Sequence, residues 1–157
     1  MYLDKKSFEN IVKLSPIPAI DLCILNEKNE ILLGKRINPP AKKFFFVPGG
    51  RIRKGETLFC ATNRILRDEI NFEISEKSFN KINLLGIFQH FYEDNFTNNR
   101  LFSTHYVVIA YSIPLAVLNK ANNKESDEQH EEYIWYKKNK NKNISIHPFA
   151  REYLNKI

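Results

Sequence analysis

Cysteine and long apolar runs are scarce in this sequence, and their scarcity excludes several classes of protein. The two cysteines, Cys23 and Cys60, have neither the number nor the spacing of a disulfide framework or a cysteine metal site. Each lies among apolar neighbours, which predicts buried thiols. No apolar stretch approaches the length of a membrane span, and the charged residues 4–6 argue against a secretory signal peptide. These features favour a soluble, cytoplasmic protein.

The sequence also shows no sign of a second hydrophobic core. The 157 residues show no internal repeat and no linker, so a single domain with a substantial core is expected. The formal charge of +6 invites a nucleic-acid partner. However, Lys and Asn are abundant along the whole chain, and the one dense basic run, residues 137–142, is typical of a solvated loop. We therefore expect neither nucleic acid nor a membrane as a partner.

Periodicity and turn residues predict a mixed sheet with few helices, an α/β or α+β sandwich. Helices are predicted over residues 4–14, from about 56 to 70, and over 147–156, the last with Phe149, Tyr153 and Leu154 facing inward. Strands are predicted over residues 19–25, 30–36, 44–47, 82–92, 101–113 and 133–136. The polar stretches 73–80 and 119–132 are predicted to lack regular structure. Asp21 is the only charge in an apolar strand, so it is either an edge residue that faces water or a functional group.

The most informative stretch is residues 47–72. An apolar strand ends there at Pro48-Gly49-Gly50, a loop with Arg51, Arg53 and Lys54 follows, and a helix comes next. Glu69 lies four residues after Ile65, so its carboxylate projects near the apolar stripe of that helix. Burying a carboxylate is costly unless it meets a cation. The stretch therefore predicts that a cation and a phosphate are held at one place.

The same stretch resembles the Nudix box. The positions that match at the correct spacing are Gly50, Glu56, Arg64, Leu66, Glu69 and Phe72, with Asp68 in place of a Glu. Asn71 replaces a late Gly, a mild change because Asn tolerates the left-handed conformation at a helix end. Ile65 replaces the first Glu of the box. Ordinary Nudix enzymes hold two or more divalent ions with carboxylates on this helix, so this loss argues against multi-metal attack at phosphorus.

The rest of the chain resembles the GDP-mannose mannosyl hydrolase family, an offshoot of the Nudix proteins. The markers are Pro18-Ala19-Ile20-Asp21, Leu33-Gly34-Lys35-Arg36, Phe46-Val47-Pro48-Gly49-Gly50-Arg51, Gln89-His90-Phe91-Tyr92-Glu93-Asp94-Asn95-Phe96, Thr104-His105-Tyr106-Val107-Val108 and Asp127-Glu128-Gln129-His130. The resemblance implies a Nudix-type α/β/α sandwich around a mixed sheet, spanning residues 1–157, in a homodimer. It also implies hydrolysis of GDP-mannose, with GDP-glucose as a second candidate, by attack of water at the anomeric carbon with inversion.

The resemblance assigns roles residue by residue. One Mg²⁺ per subunit, replaceable by Mn²⁺, is held by the Glu69 carboxylate, the Gly49 carbonyl and the Gln129 side chain, oxygen donors of the kind Mg²⁺ requires. His130 is the general base, because an imidazole titrates near the working pH. The groups that stabilise the leaving GDP are Arg36, Arg51 and Tyr106. The groups that bind the sugar hydroxyls are Asp21 and His90.

Three further residues are placed by weaker arguments. Arg64 is expected to support the helix by pairing with Glu56, Asp68 or Glu69. His147 is expected to be structural at the start of the last helix. Guanine is expected to stack on an aromatic side chain, and the sequence leaves open which one.

Two other functions remain open on the sequence. The first is an ordinary Nudix pyrophosphatase that attacks phosphorus, against which the missing acid at Ile65 argues. The second is a non-catalytic module that binds a nucleotide sugar, against which Glu69, Gln129 and His130 argue. A zinc site is not expected, because the candidate histidines lie on separate segments without metal-ligand spacing.

Overall fold

The computed structural model describes residues 3–97, 101–121, 130–137 and 144–157. The helices are α1 (Lys5–Leu14), α2 (Leu58–Ile70), α3 (Glu76–Phe79) and α4 (Pro148–Leu154), with a 3₁₀ turn at Leu115–Val117. The strands are β1 (Ile17–Leu25), β2 (Ile31–Arg36), β3 (Phe45–Phe46), β4 (Gly49–Arg51), β5 (Phe72–Glu73), β6 (Asn83–Tyr92), β7 (Thr104–Pro114), β8 (Asn119–Lys120) and β9 (His130–Tyr136).

A mixed sheet forms the middle of the molecule. Its strand order is β3–β2–β1–β7–β6, with β4 also paired to β1 and β9 also paired to β2. β1 runs parallel to β7 from Ile17 to Leu25, whereas the other strand pairs are antiparallel. β1 is therefore central rather than an edge strand, and Asp21 is buried, which removes the interpretation that it faces water.

Alternation along β1 divides the core into two parts, one on each face of the sheet. Ala19 and Cys23 point to the face that packs against α4, where Asp21 also lies and meets Tyr153. Ile20 and Leu22 point to the face that packs against α2. The sheet lies between helices, so the predicted α/β class with a mixed sheet is confirmed.

α2 begins and ends where its capping residues dictate. The Thr57 side chain accepts a hydrogen bond from the Cys60 N–H at 3.1 Å, so the helix starts at Leu58 rather than near residue 56. Asn71 ends it in the left-handed conformation, with φ of 56°. This confirms that Asn takes the role that the box normally gives to Gly.

Several sequence expectations were wrong. The stretch 73–80 contains α3, which Ser75 caps by accepting from the Ser78 N–H. Phe72–Glu73 and Asn119–Lys120 form a small second sheet. β9 starts at His130, three residues earlier than predicted, because the segment pairs with β2 as far as Arg36. Cys60 is exposed, since it lies on the outer face of the first turn of α2.

Across the part of the chain that the structure describes, no helix combines the length and the apolar character that a membrane crossing requires.

Candidate active site

A pocket of about 280 Å³ opens on the α4 side of the sheet. Its lining is formed by Phe8, Ala19, Asp21, Arg36, Pro40, Phe46, Val47, Gly49, Gly50, Arg51, His90, Tyr92, Tyr106 and Val108. Six residues that the sequence nominated for the site therefore meet in one place, although they come from five separate strands. The six are Asp21, Arg36, Gly49, Arg51, His90 and Tyr106.

Three buried side chains form a hydrogen-bonded group at the floor of the pocket, and two of them, Asp21 and His90, line it. The Tyr153 hydroxyl donates to Asp21 Oδ2 at 2.6 Å and lies 3.1 Å from His90 Nε2. The exposed fraction of these residues is 7% for Asp21, 2% for His90 and 0% for Tyr153. β1, β6 and α4 each contribute one of them. Tyr153 was expected only to face inward, so its polar contact with the site is new information.

Burial decides the charge of two of these groups. It raises the pKa of Asp21 to about 7, although the Tyr153 hydroxyl and the Arg36 guanidinium act in the opposite direction. It lowers the pKa of His90 to about 4, with a smaller contribution from His147. His90 is therefore neutral at physiological pH, and the floor carries no positive charge of its own.

The walls of the pocket carry the positive charge. Arg36 is held by a hydrogen bond from Nε to the Pro40 carbonyl at 3.0 Å. The Arg51 guanidinium lies over the Phe8 ring, 4.3 Å from its centroid. Burial, and to a smaller extent the neighbouring Arg53 and Arg64, lower the pKa of Arg51. This wall is suited to a phosphate group.

Tyr106 completes the upper part of the pocket. Burial raises the pKa of its hydroxyl. The group therefore keeps its proton and remains a hydrogen-bond donor.

Gly49 joins the pocket to the helix that bears Glu69. Its N–H donates to Glu69 Oε2 at 3.1 Å, and the Glu69 residue is 5% exposed. A Cβ on Gly49 would lie 2.2 Å from Asp21 Oδ1, so only glycine allows β4 to approach β1 this closely. The buried Glu69 carboxylate is an oxygen ligand of the kind that a hard cation such as Mg²⁺ prefers.

The third predicted metal ligand, Gln129, lies outside the described residues. Within the described ranges no group of three or more His, Cys, Asp or Glu side chains is arranged to hold a metal ion. The three-oxygen set of one carboxylate, one carbonyl and one amide therefore stays a prediction.

His130 opens β9 and is 8% exposed, so it lies in a strand and not in the irregular segment predicted over 119–132. Its Nδ1 lies 2.9 Å from the Tyr133 hydroxyl, which also donates to the main-chain oxygen of Glu69 at 2.9 Å. His130 is paired with Arg36 across β2 and β9. It does not line the pocket itself, but Arg36, its strand partner, does.

Gly34 provides the space for this histidine. A Cβ there would lie 2.5 Å from His130 Cδ2 and 2.8 Å from Tyr133 Cε1. The position of the imidazole thus depends on a residue without a side chain in the adjacent strand.

Arg64 has the supporting role that the sequence predicted. Its Nε donates to Glu56 Oε1 at 2.6 Å, and its Nη2 donates to Glu56 Oε2 and to the Arg51 carbonyl, both at 2.9 Å. These bonds lower the pKa of Glu56 to about 2. Arg64 therefore holds β4 against α2. His147 is likewise structural, because its Nδ1 accepts from the Phe149 N–H at the start of α4.

The Ile65 side chain occupies the place of the missing acid. It is 1% exposed and belongs to the apolar core on the α2 side. A Cβ on Gly50 would be 3.4 Å from it, so the aliphatic side chain packs directly under the glycine loop. Position 65 therefore offers no oxygen to a second cation.

Comparison with known proteins identifies the family of this chain. A sequence model of the family described as NUDIX domain matches residues 15–157. The chain belongs to the Nudix family. Nudix proteins generally use divalent cations such as Mg²⁺, and they bind nucleotide-derived substrates.

Two Nudix structures share the fold at low sequence identity. The MutT Nudix hydrolase from Burkholderia pseudomallei has a TM-score of 0.69 at 19% identity, covering 91% of this chain and 98% of its own. The Nudix domain of Shewanella oneidensis NrtR, solved with ADP ribose, has a TM-score of 0.64 at 14% identity, covering 98% of this chain and 90% of its own.

One relative has a higher sequence identity to this chain than these two structures have. The low-salt glycan biosynthesis protein Agl8 of Haloferax volcanii is 32% identical over 150 residues, which cover 96% of this chain and 87% of that protein. The family model and the two shared structures confirm the predicted Nudix fold, and the family is that of the Nudix hydrolases.

Two residues of the site escaped the sequence analysis, Tyr133 and Tyr153. Tyr133 lies in the strand predicted over 133–136 and Tyr153 in the helix predicted over 147–156, but neither matched a motif. Three of their hydroxyl contacts join residues 63 to 132 positions apart, which periodicity alone does not reveal.

Proposed function

We propose that this chain hydrolyses GDP-mannose, with GDP-glucose as a second substrate, to GDP and the free sugar. The observation that carries the proposal is the two-sided pocket, in which Asp21 and His90 form the floor and Arg36 and Arg51 the walls. A hexose brings hydroxyl donors and a diphosphate brings negative charge, so a nucleotide sugar matches both sides. The name of the relative Agl8, a glycan biosynthesis protein, supports this class of substrate.

The reaction is a displacement at carbon. The oxygen of water bonds to the anomeric carbon from the side opposite GDP, and the bond from that carbon to the β-phosphate oxygen breaks. GDP leaves with the electron pair, and the configuration inverts. Arg36, Arg51 and Tyr106 stabilise the charge that develops on the departing phosphate. The hydroxyls of the sugar are held by Asp21 and His90.

His130 takes the proton of the attacking water. The Tyr133 hydroxyl has one hydrogen, which it donates to the Glu69 carbonyl, so it accepts from Nδ1–H of His130. Nε2 is then the unprotonated nitrogen, as a general base requires. The proton of water is released to this atom as the new carbon–oxygen bond forms.

The cation site of the proposal is formed by Glu69, the Gly49 carbonyl and Gln129. When bound, one Mg²⁺ per subunit, or Mn²⁺ in its place, supplies charge neutralisation at the diphosphate. The chain contributes a carboxylate already fixed by the Gly49 N–H. The proposal also takes from the resemblance a homodimer, which light scattering of the purified protein tests.

Incubation with GDP-mannose and Mg²⁺ in ¹⁸O-labelled water tests the reaction. We expect GDP and mannose, with the label in mannose and an inverted anomer in the first NMR spectra. GMP and mannose 1-phosphate, with the label in a phosphate, would instead identify an ordinary Nudix pyrophosphatase. Binding without turnover would identify a nucleotide-sugar-binding module.

A further inference from the structure

The Tyr153 hydroxyl touches both residues of the pocket floor. It lies 2.6 Å from Asp21 Oδ2 and 3.1 Å from His90 Nε2. A hydroxyl has a single hydrogen to donate. The two contacts therefore have opposite directions, and the direction of one determines the direction of the other.

The chemistry of the three groups decides which way the bonds run. Above its pKa of about 7 the Asp21 carboxylate only accepts, so Tyr153 then donates to it and accepts from the Nε2–H of His90. Burial and the adjacent Asp21 raise the pKa of the Tyr153 hydroxyl, which keeps its proton. His90 is neutral and has only one N–H. That N–H is used in the bond to Tyr153, so Nδ1 is the acceptor that the ring offers to a ligand.

Packing holds this arrangement still. The His90 ring is stacked on Phe149 at 4.3 Å with parallel planes, and the Tyr153 ring meets Phe88 edge-on at 4.8 Å. Phe149 and Tyr153 both belong to α4. The helix therefore supplies the hydroxyl that orients His90 and the ring that supports it.

We propose that Tyr153 is a positioning residue that makes the pocket floor a surface of hydrogen-bond acceptors, and that this selects a hexose with free hydroxyls over a deoxyhexose. The inference rests on the proposed function only for the identity of the ligand. The floor carries Asp21 and the Nδ1 of His90, so hydroxyl donors fit it and a phosphate does not. These acceptors also orient the substrate, because its phosphates must then lie against the wall that carries Arg36 and Arg51.

Removal of one hydroxyl tests the inference. Tyr153→Phe keeps the ring and its contact with Phe88 but takes away the donor to Asp21 and the acceptor for His90. Tyr136→Phe is the matched control, since Tyr136 is a buried tyrosine of the same core cluster and lies on β9, away from the two floor residues. Thermal unfolding of both variants checks that the fold is kept.

The first readout is the ¹⁵N spectrum of the imidazoles at pH 8.5, where Asp21 is ionised. The chain has four histidines, and His90→Gln assigns the signals of His90. We expect the Nε2–H tautomer in the wild type and in Tyr136→Phe, and a mixture of tautomers in Tyr153→Phe. An Nδ1–H tautomer in the wild type, or an unchanged spectrum in Tyr153→Phe, overturns the inference.

The second readout is discrimination between GDP-mannose and analogues that lack one sugar hydroxyl. A site that leaves a buried acceptor unpaired rejects such an analogue. We expect Tyr153→Phe to lower kcat/KM for GDP-mannose by about 10- to 100-fold and to reduce the discrimination by about tenfold. Unchanged discrimination overturns the selection of hydroxyls. If the wild type shows no turnover, the proposed function fails, while the tautomer measurement still decides the role of Tyr153.

Discussion

The Tyr133 hydroxyl lies 2.9 Å from Nδ1 of His130 and donates to the main-chain oxygen of Glu69, also at 2.9 Å. A strand that begins with the proposed base is thereby tied to the end of the helix that bears the proposed metal ligand. The contact with Glu69 spans 64 residues of sequence. The tie makes the orientation of the imidazole depend on α2, where the Nudix box lies.

Tyr133→Phe removes this tie without changing the ring. We expect kcat for GDP-mannose to fall by about tenfold, because the His130 imidazole is then free to take the wrong tautomer. His130→Gln should lower kcat by about 10²- to 10⁴-fold, the usual contribution of a general base. Steady-state kinetics of the two single variants and the double variant measure the coupling.

The double variant distinguishes a direct role of Tyr133 from one that acts through His130. If Tyr133 acts through the imidazole, the double variant is no slower than His130→Gln alone. Losses that multiply would mean that Tyr133 contributes independently. A Tyr133→Phe variant with wild-type kcat would remove it from the mechanism.

Gly34→Ala should displace His130. The new Cβ would lie 2.5 Å from Cδ2 and 2.7 Å from Cγ of the imidazole, distances that force the ring to move. We expect a loss of kcat approaching that of His130→Gln, with a smaller change in the binding of GDP measured by calorimetry, because Gly34 does not line the pocket.

Gly55→Ala is the matched control for this substitution. Gly55 has a φ of 85°, and among the described residues no atom lies within 4 Å of the position that a Cβ would take there. This change strains the backbone, costing about 1 kcal/mol of unfolding free energy, but crowds nothing near His130. Wild-type kcat in Gly34→Ala would show that the histidine need not occupy its present place.

Some residues of this site could be predicted from the sequence, and others could not. The motif residues Asp21 and His90, which the family resemblance nominated together, line one pocket. Tyr153 was predicted to face inward, yet its partner Asp21 is 132 residues away, and a 3.6-residue period says nothing about which strand a helix covers. The early start of β9 was missed because pairing with β2 outweighs the polar composition of the segment.

The ion pair of Glu56 with Arg64 should make stability depend on pH at the acid end. The folded-state pKa of Glu56 is about 2, below its ordinary value of 4.5. The pair therefore stabilises the fold fully above about pH 4.5, and its contribution is lost as the pH falls towards 2. Glu56→Gln should lower the unfolding free energy by about 1–2 kcal/mol at pH 7, and this difference should shrink below pH 4.5.

Denaturant titrations at several pH values measure this difference. The control is Glu73→Gln, since Glu73 pairs with Arg67 and both side chains are more than two-fifths exposed, at 41% and 49%. An exposed pair contributes little, so its loss should cost well under 1 kcal/mol at every pH. Equal effects of the two variants would mean that Glu56 and Arg64 do not hold β4 against α2.

Ile65→Glu restores the acid that the box lacks. The variant tests whether a carboxylate at position 65 would reach a cation or would only be buried in the apolar core. Ile65 is 1% exposed and packs in the apolar core beneath Gly50. An unpaired carboxylate there should destabilise the fold by about 3 kcal/mol or more. Burial raises its pKa, so part of the loss is recovered as the pH falls from that raised pKa towards about 4.3, the ordinary value for Glu. Ile65→Leu, which keeps the volume, should cost less than about 1.5 kcal/mol.

Unfolding of Ile65→Glu with and without Mg²⁺ decides whether the new carboxylate reaches a cation. We expect Mg²⁺ to stabilise the variant no more than the wild type, because the side chain at position 65 lies on the core side of the glycine loop. A larger stabilisation in the variant, together with GMP among the products from GDP-mannose, would show that this one residue separates attack at carbon from attack at phosphorus. Retention of GDP as the nucleotide product would instead place that choice in the pocket formed by Asp21, Arg36 and His90.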